Sequence, residues 1–188
     1  MFILYAVLIG VVAGFLTGGR LSGLATIQLK WSWVILAGLV VQIVLFSEPV
    51  SARIGSLGPL VYVASTAVVI GAVLANRAIT GMLIVALGAA SNVAAIVANG
   101  GYMPADPAAL TALGAAHPTA YSNSTIVPDP ALAPLTDIFA LPAWVPFANV
   151  FSIGDVLIGI GVVVVIVTAM RSWDRPSTTV AAPPPVGA

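Results

Sequence analysis

The stretch Ile-Gly-Asp-Val-Leu-Ile-Gly-Ile-Gly-Val-Val-Val-Val-Ile-Val-Thr-Ala-Met, residues 153–170, decides the fold class. Its single charge, Asp155, stands at the start, and everything after it is apolar or small. Bilayer hydrocarbon is about 30 Å thick, so a helical span needs roughly 17–25 predominantly apolar residues. This run meets that length. Four further stretches upstream read the same way, at about 2–17, 31–47, 57–75 and 79–98. The sequence therefore predicts an all-α membrane protein, a bundle of about five transmembrane helices occupying residues 1–171.

Composition points the same way. Of 188 residues, 60% are hydrophobic and 6% charged, and the mean hydropathy is +1.13. Soluble domains carry about 25% charged residues, so a chain this poor in charge cannot cover its surface in water. The six basic and six acidic side chains cancel, which leaves no basic footprint for nucleic acid. The absence of Cys removes disulfides, thiolate metal sites and Cys nucleophiles. A lone His117, read as a loop residue, makes no metal cluster, and neither a metal nor a cofactor is expected.

The N-terminal segment is apolar from residue 2, and its first positive charge, Arg20, follows the apolar run. A secretory signal has the reverse order, so this segment reads as a retained first span. Arg20, Lys30, Arg77, Arg171 and Arg175 all fall on one side of the five spans, and only Arg53 on the other. The positive-inside rule then puts the N-terminus outside and the C-terminus in the cytoplasm. Trp31, Trp33, Trp144 and Trp173 fall near the span ends, where indoles favour the interface.

Residues 101–150 become a long extracytoplasmic loop with eight of the fourteen prolines and no Lys or Arg. Asp106-Pro107 is a helix-start signal for a short helix to about residue 115, with Leu110 and Leu113 on one face. The stretch 132–151 is unusually apolar, yet Pro134, Pro142 and Pro146 argue against a full span. It is expected along the outer interface or folded back over the bundle. The tail, 172–188, is expected to be disordered in the cytoplasm, and the sequon at Asn123 is read as a chance match.

Polar side chains within spans are costly and therefore informative. Asn92 and Asn99 lie seven residues apart on one helical face, and Gly81 and Gly88 repeat that spacing. Interhelical hydrogen bonding beside close small-residue packing accounts for them; a polar, substrate-binding pocket is the functional alternative. Gln42 reads as an interhelical hydrogen bond. Gly10, Gly14 and Gly18 form overlapping small-xxx-small steps whose partner is another helix of the chain or a second copy, as in a homodimer. Asp155 reads first as an N-terminal capping acid behind Ser152. The alternative pairs it with Asp137 as two catalytic carboxylates sharing a proton.

Two resemblances follow from these residues. Gly18-Gly19-Arg20-Leu21, then Asn99-Gly100-Gly101-Tyr102-Met103-Pro104, an acid at Asp137 and Ser152-Ile153-Gly154-Asp155 together resemble a group of bacterial multi-pass membrane proteins described as a domain of unknown function. That resemblance implies a bacterial inner-membrane location and no particular activity. The segment from Phe147 to Asp155, leading into Gly159 and Gly161, is similar to the last motif of lipoprotein signal peptidases, and Leu87-Gly88-Ala89-Ala90-Ser91-Asn92 resembles their Gly-rich, Asn-bearing helix. This implies Asp155 as one catalytic carboxylate. The chain departs from that family in having Ser152 where the family has Asn, in lacking the Asp-Arg after the helix Asn, and in lacking an early second Asp, for which Asp106 or Asp137 would have to substitute.

The main expectation is an uncharacterised, non-catalytic accessory, scaffold or small-ligand- or lipid-binding membrane protein. Its partners are the bilayer and another membrane protein or a second copy. The alternatives are an intramembrane aspartic hydrolase using Asp155 and Asp137 with Asn92 and Asn99, and, with less support, a small transporter, for which no internal repeat is evident.

Overall fold

The computed structural model describes residues 2–113 and 124–172. The chain is mostly helical. Helix α1 (Phe2–Leu16) is uninterrupted until Thr17-Gly18-Gly19, where Gly18 takes φ +83. A 3-10 segment (Leu21–Thr26) leads to α2 (Ser32–Leu45). Ser47-Glu48-Pro49 then breaks the chain into α3 (Glu48–Ile54), bent 77° from α2, with Pro49 in the first turn, where its missing N–H costs nothing. Helices α4 (Leu57–Ala75) and α5 (Met82–Ala98) follow. After α5 come β1 (Met103–Pro104), α6 (Pro107–Ala112), β2 (Ser124–Thr125), a 3-10 turn (Ala133–Leu135), β3 (Phe139–Ala140), β4 (Val150–Phe151) and α7 (Ile153–Arg171).

The helices pack in the spatial order α1, α7, α5, α4, α2. Glycines set the closest approaches. A Cβ on Gly88 would meet the Gly154 carbonyl and stand 2.8 Å from Ile158 N; one on Gly81 would stand 2.6 Å from the Gly161 carbonyl. These pairings run in opposite directions, so α5 and α7 are antiparallel, with small residues letting the backbones meet. Gly10 packs on Ile166 and Gly14 on Met170, while Phe2 packs on Gly159, which makes α1 and α7 parallel. The Gly10 and Gly14 face is thus filled by the chain's own last helix, the internal alternative to a second copy; Gly18 has open space around it. Gln42 donates to Thr66 Oγ1 at 3.1 Å between antiparallel α2 and α4, as its position suggested.

By length and composition, α4 and α7 are apolar and long enough to cross a membrane, and the bent α2–α3 pair makes a third if it is one span. Helices α1 and α5, 15 and 17 residues long, are shorter apolar helices. The five stretches expected from the sequence are all helical, but the glycines at 18–19 and 81 trim the first and fourth. His117, Asn123, Trp173 and the tail lie outside the described residues.

The segment after α5 folds back over one end of the bundle. β1 pairs in parallel with β2, Ala105 bridges Asp137, and β3 pairs antiparallel with β4. Asp106 caps α6 through bonds of 2.7 Å from Ala108 N and 3.1 Å from Ala109 N. Leu110 and Leu113 pack on Ala105, Ala109 and Val150. Phe2, Phe151 and Phe139 form a stack with centroids 4.5 and 5.4 Å apart, and the Tyr5 hydroxyl donates to the Pro146 carbonyl. These contacts fix the fold-back over the first turns of α1 and α7.

Candidate functional site

Asp155 is placed by the start of α7. Ser152 is fully buried, and its hydroxyl accepts from Asp155 N at 3.0 Å while Ser152 N donates to Asp155 Oδ2 at 3.0 Å. This reciprocal capping box satisfies two backbone donors that a helix start leaves open. Asn92 reaches it from α5. Its Nδ2 donates to Asp155 Oδ1 at 2.9 Å, and its Oδ1 accepts from Ser152 Oγ at 2.7 Å. Ser152 has one hydroxyl proton, and Asn92 is its nearer acceptor; Asp155 Oδ2 lies at 3.1 Å. The four bonds form a closed ring, each donor with an acceptor.

The ring depends on Gly154. A Cβ there would land on the Asn92 carboxamide oxygen and lie 2.7 Å from the Gly88 carbonyl. Gly88 and Asn92, four residues apart on α5, therefore match Gly154 and Asp155 on α7.

A cavity of about 270 Å³ opens beside this ring. Its polar wall is Asn92, Asp155, Asp137 and Asn149; Phe2, Tyr62, Ile96, Met103 and Ile158 contribute apolar surface. Asp137 is buried, at 4% exposure. Its backbone holds it there: Asp137 N donates to the Pro104 carbonyl at 2.9 Å, and the Asp137 carbonyl accepts from Asp106 N at 3.0 Å. The fold-back thus brings Asp137 to the same cavity as Asp155, eighteen residues later in the chain. Asn149 donates to the Val150 carbonyl at 2.7 Å, and its Oδ1 is buried without a hydrogen-bond partner. Among the described residues no Lys or Arg lines the cavity.

Asn99 does not join Asn92. It sits just past the end of α5, donates to the Ala95 carbonyl at 2.7 Å, and pairs with both backbone groups of Ala131 at 2.9 Å. It clamps the loop to the helix. Asn76 does the same at the end of α4: it donates to the Ala72 and Lys30 carbonyls and accepts from Lys30 N, all at 2.8 Å. Sequence reasoning passed over Asn76. The available signal was an Asn directly after an apolar run, a helix C-terminal signature. Among the described residues no group of three or more His, Cys, Asp or Glu is placed to hold a metal ion.

A family model described as Family of unknown function (DUF5317) matches residues 26–167. No curated protein and no solved structure matches the chain.

Proposed function

The chain belongs to this family of unknown function, and from its apolar exterior and its polar cavity we propose that it is a five-pass inner-membrane protein that binds a small ligand without transforming it. The exterior supports the membrane part. Leu8, Leu36, Leu60, Leu87 and Ile160, one on each long helix, are between 48% and 64% exposed. Large apolar side chains exposed on every long helix point to contact with something other than water. Trp33 and Trp144 are exposed at or beyond helix ends, as interfacial indoles would be. Alternating helix directions agree with five passes, and the short α1 and α5 are compatible with local thinning of the bilayer. In this topology the cavity lies at the outer surface and Arg171 at the cytoplasmic one. The chain has no Cys, so single cysteines introduced at Ala131 and Thr26 report topology cleanly. Impermeant maleimide should label the first from outside intact cells and the second only after lysis. Labelling of both from one side would refute the arrangement.

The cavity carries the binding part. Two carboxylates and two carboxamides face apolar walls, a combination that suits a small molecule with hydrogen-bond donors and an apolar body. Asp155 favours binding over catalysis, because both its oxygens already accept from Asn92 and Ser152. Ile3→Trp, at the rim, should fill the space. Solvent extracts of purified wild type should then contain a small molecule that extracts of the variant lack, and matching extracts would overturn the reading.

A second reading, an intramembrane aspartic hydrolase similar to lipoprotein signal peptidases, has its own support: Asp137 and Asp155 line one cavity. One carboxylate would activate water and the other donate a proton. It requires that liposomes carrying the protein cleave a lipid-modified signal-peptide substrate, and that Asp137→Asn and Asp155→Asn each abolish cleavage. An inactive wild type ends this reading and leaves the first intact.

A further inference from the structure

The larger cavity, about 640 Å³, lies at the opposite end of the bundle, between the 3-10 segment, the turn joining α4 to α5, and the last turns of α7. Thr26, Gln28, Thr80, Thr168 and Arg171 line it, over an apolar floor that includes Ile79 and Val165. We infer that this groove is a binding site for a phosphate-bearing anion.

Charge carries the argument. Arg171 stands in the wall and Arg77 adjoins the wall residue Ala78. Arg20 N donates to the Met170 carbonyl at 2.9 Å, which holds Arg20 at the same end of α7. Lys30 is tied to Asn76, where α4 ends, so it belongs to this rim too. The described acids lie elsewhere. Asp155 is sixteen residues of helix from Arg171, about 24 Å at 1.5 Å per residue. Asp137 and Asp106 sit in the fold-back beside Asp155, Asp129 is two residues from Ala131, which Asn99 holds at the end of α5, and Glu48 lies past the end of α2 that is far from Lys30. One cation thus lines a groove with no described carboxylate in its wall, and three more are anchored at the same end of the bundle.

Three of the wall hydroxyls are already engaged, which leaves much of the recognition to Arg171. Thr26 donates to the Gly23 carbonyl at 2.7 Å, Thr168 to the Val164 carbonyl at 2.7 Å and Ser172 to the Ala169 carbonyl at 2.7 Å. Their protons are committed to the backbone. The Arg171 guanidinium and the Gln28 amide supply donors, and a guanidinium fork suits phosphate oxygens. The groove pairs a charged rim with an apolar floor, which is how basic pockets between membrane helices hold anionic headgroups. An anionic glycerophospholipid and a soluble phosphate compound share this chemistry. The lipid form rests on the membrane reading; neither form rests on the cavity at the Asp155 end.

The test uses the full chain in detergent, equilibrated with vesicles of equal parts phosphatidylglycerol and phosphatidylcholine, with bound lipid counted by native mass spectrometry. Phosphatidylglycerol should be retained in preference. Arg171→Gln should lower that preference about fivefold, as expected for one cation at a membrane surface, and Arg171→Gln with Arg77→Gln should lower it further. Arg171→Lys, which keeps the charge but not the fork, should fall between wild type and Arg171→Gln, and Arg53→Gln, at the other end, should keep all of the preference. A second arm adds inorganic phosphate without lipid, read by phosphorus NMR. Arg171-dependent broadening there supports the site with a soluble source; selective lipid retention without broadening supports it with a lipid source. Equal retention of both lipids with no phosphate binding overturns the inference, as does an Arg53→Gln effect matching that of Arg171→Gln. Far-ultraviolet circular dichroism shows that each variant is folded.

Discussion

Replacing Asp155 by Asn should be almost silent for stability, while replacing it by Ala should not. The closed ring explains why. With an amide at 155, the Asn92 carboxamide turns over, so that its oxygen accepts from the new amide and its Nδ2 donates to Ser152 Oγ. The Ser152 hydroxyl proton then passes to the new amide oxygen, 3.1 Å away in the present geometry, which also keeps its bond from Ser152 N. Every donor again has an acceptor, and the cost should stay within about 0.5 kcal/mol, the scale of a change that leaves no polar group unpaired. Asp155→Ala leaves the Ser152 N-cap in place but removes the acid from the first turn of α7, worth about 0.3–1 kcal/mol, and strands the Ser152 N–H and Asn92 Nδ2, worth about 1–3 kcal/mol more. Asn92→Ala is intermediate. Ser152 redirects its proton to Asp155 Oδ2, so only the 2.9 Å bond to Oδ1 is lost. A hydrogen bond to a charged group is worth about 1.5–3 kcal/mol, but cross-helix polar pairs in membranes average about 0.6 and reach about 1.7. About 1–2 kcal/mol is expected. Reversible unfolding by SDS in mixed micelles, followed by tryptophan fluorescence, measures all three. If Asp155→Asn costs as much as Asp155→Ala, or if Asn92→Ala has no effect, the ring is not what holds the start of α7.

Gly88→Ala should destabilise by about 1–3 kcal/mol, as overpacking does, because its Cβ meets backbone on α7 rather than a movable side-chain tip; unchanged SDS unfolding would refute the close approach. Asn76→Ala removes three side-chain bonds, two that join the end of α4 to Lys30 and one to the Ala72 carbonyl. It should cost about 1–2 kcal/mol, since water at a helix end replaces part of what is lost, and it should raise proteolysis between α1 and α2. Gly10→Leu should destabilise the monomer by crowding Ile166 rather than shift an oligomer equilibrium; a changed oligomeric mass at unchanged stability would restore that face to a partner.

Helices were legible wherever hydrophobicity alone decides them, and their ends were legible where a glycine pair or a proline stood. The bend at 46–48 was less so. Glu48-Pro49 reads as a loop, yet Pro in a first turn and Glu48 beside the helix N-terminus start a helix equally well. The shared spacing of Asn92 and Asn99 suggested one polar face, but Asn99 is past the last helical turn, where an amide serves the chain end rather than a neighbouring helix. The 3-10 packing of residues 21–26 on α7 had no periodic signal to reveal it. Gly23, in contact with the Ala169 carbonyl, would have been its mark. That Asp137 and Asp155 line one cavity has no sequence signal beyond a polar residue in an apolar loop. It depends on a two-residue bridge to Ala105, too short for a pattern.

The Ser152-Ile153-Gly154-Asp155 motif has a structural explanation complete in itself. Ser152 and Asp155 close the capping box, Gly154 makes room for Asn92, and Gly88 makes room for Gly154. Ser152, Gly154 and Asp155 therefore have a role in capping and packing this helix start, whatever the cavity does. Loss of function after Asp155→Ala would say little, because the fold is damaged at the same time. Asp137 is the more discriminating position. Its backbone makes the bridge that holds the fold-back, and the residue lines the cavity beside the ring at the start of α7. Asp137→Asn keeps the shape and the backbone bridge and removes the charge from the cavity. If stability is preserved while ligand retention or hydrolysis is lost, the charge itself serves the function. Asp155→Asn, silent for folding by the argument above, then separates the two readings. Hydrolysis needs both carboxylates, whereas binding through Asp137 tolerates the amide at 155.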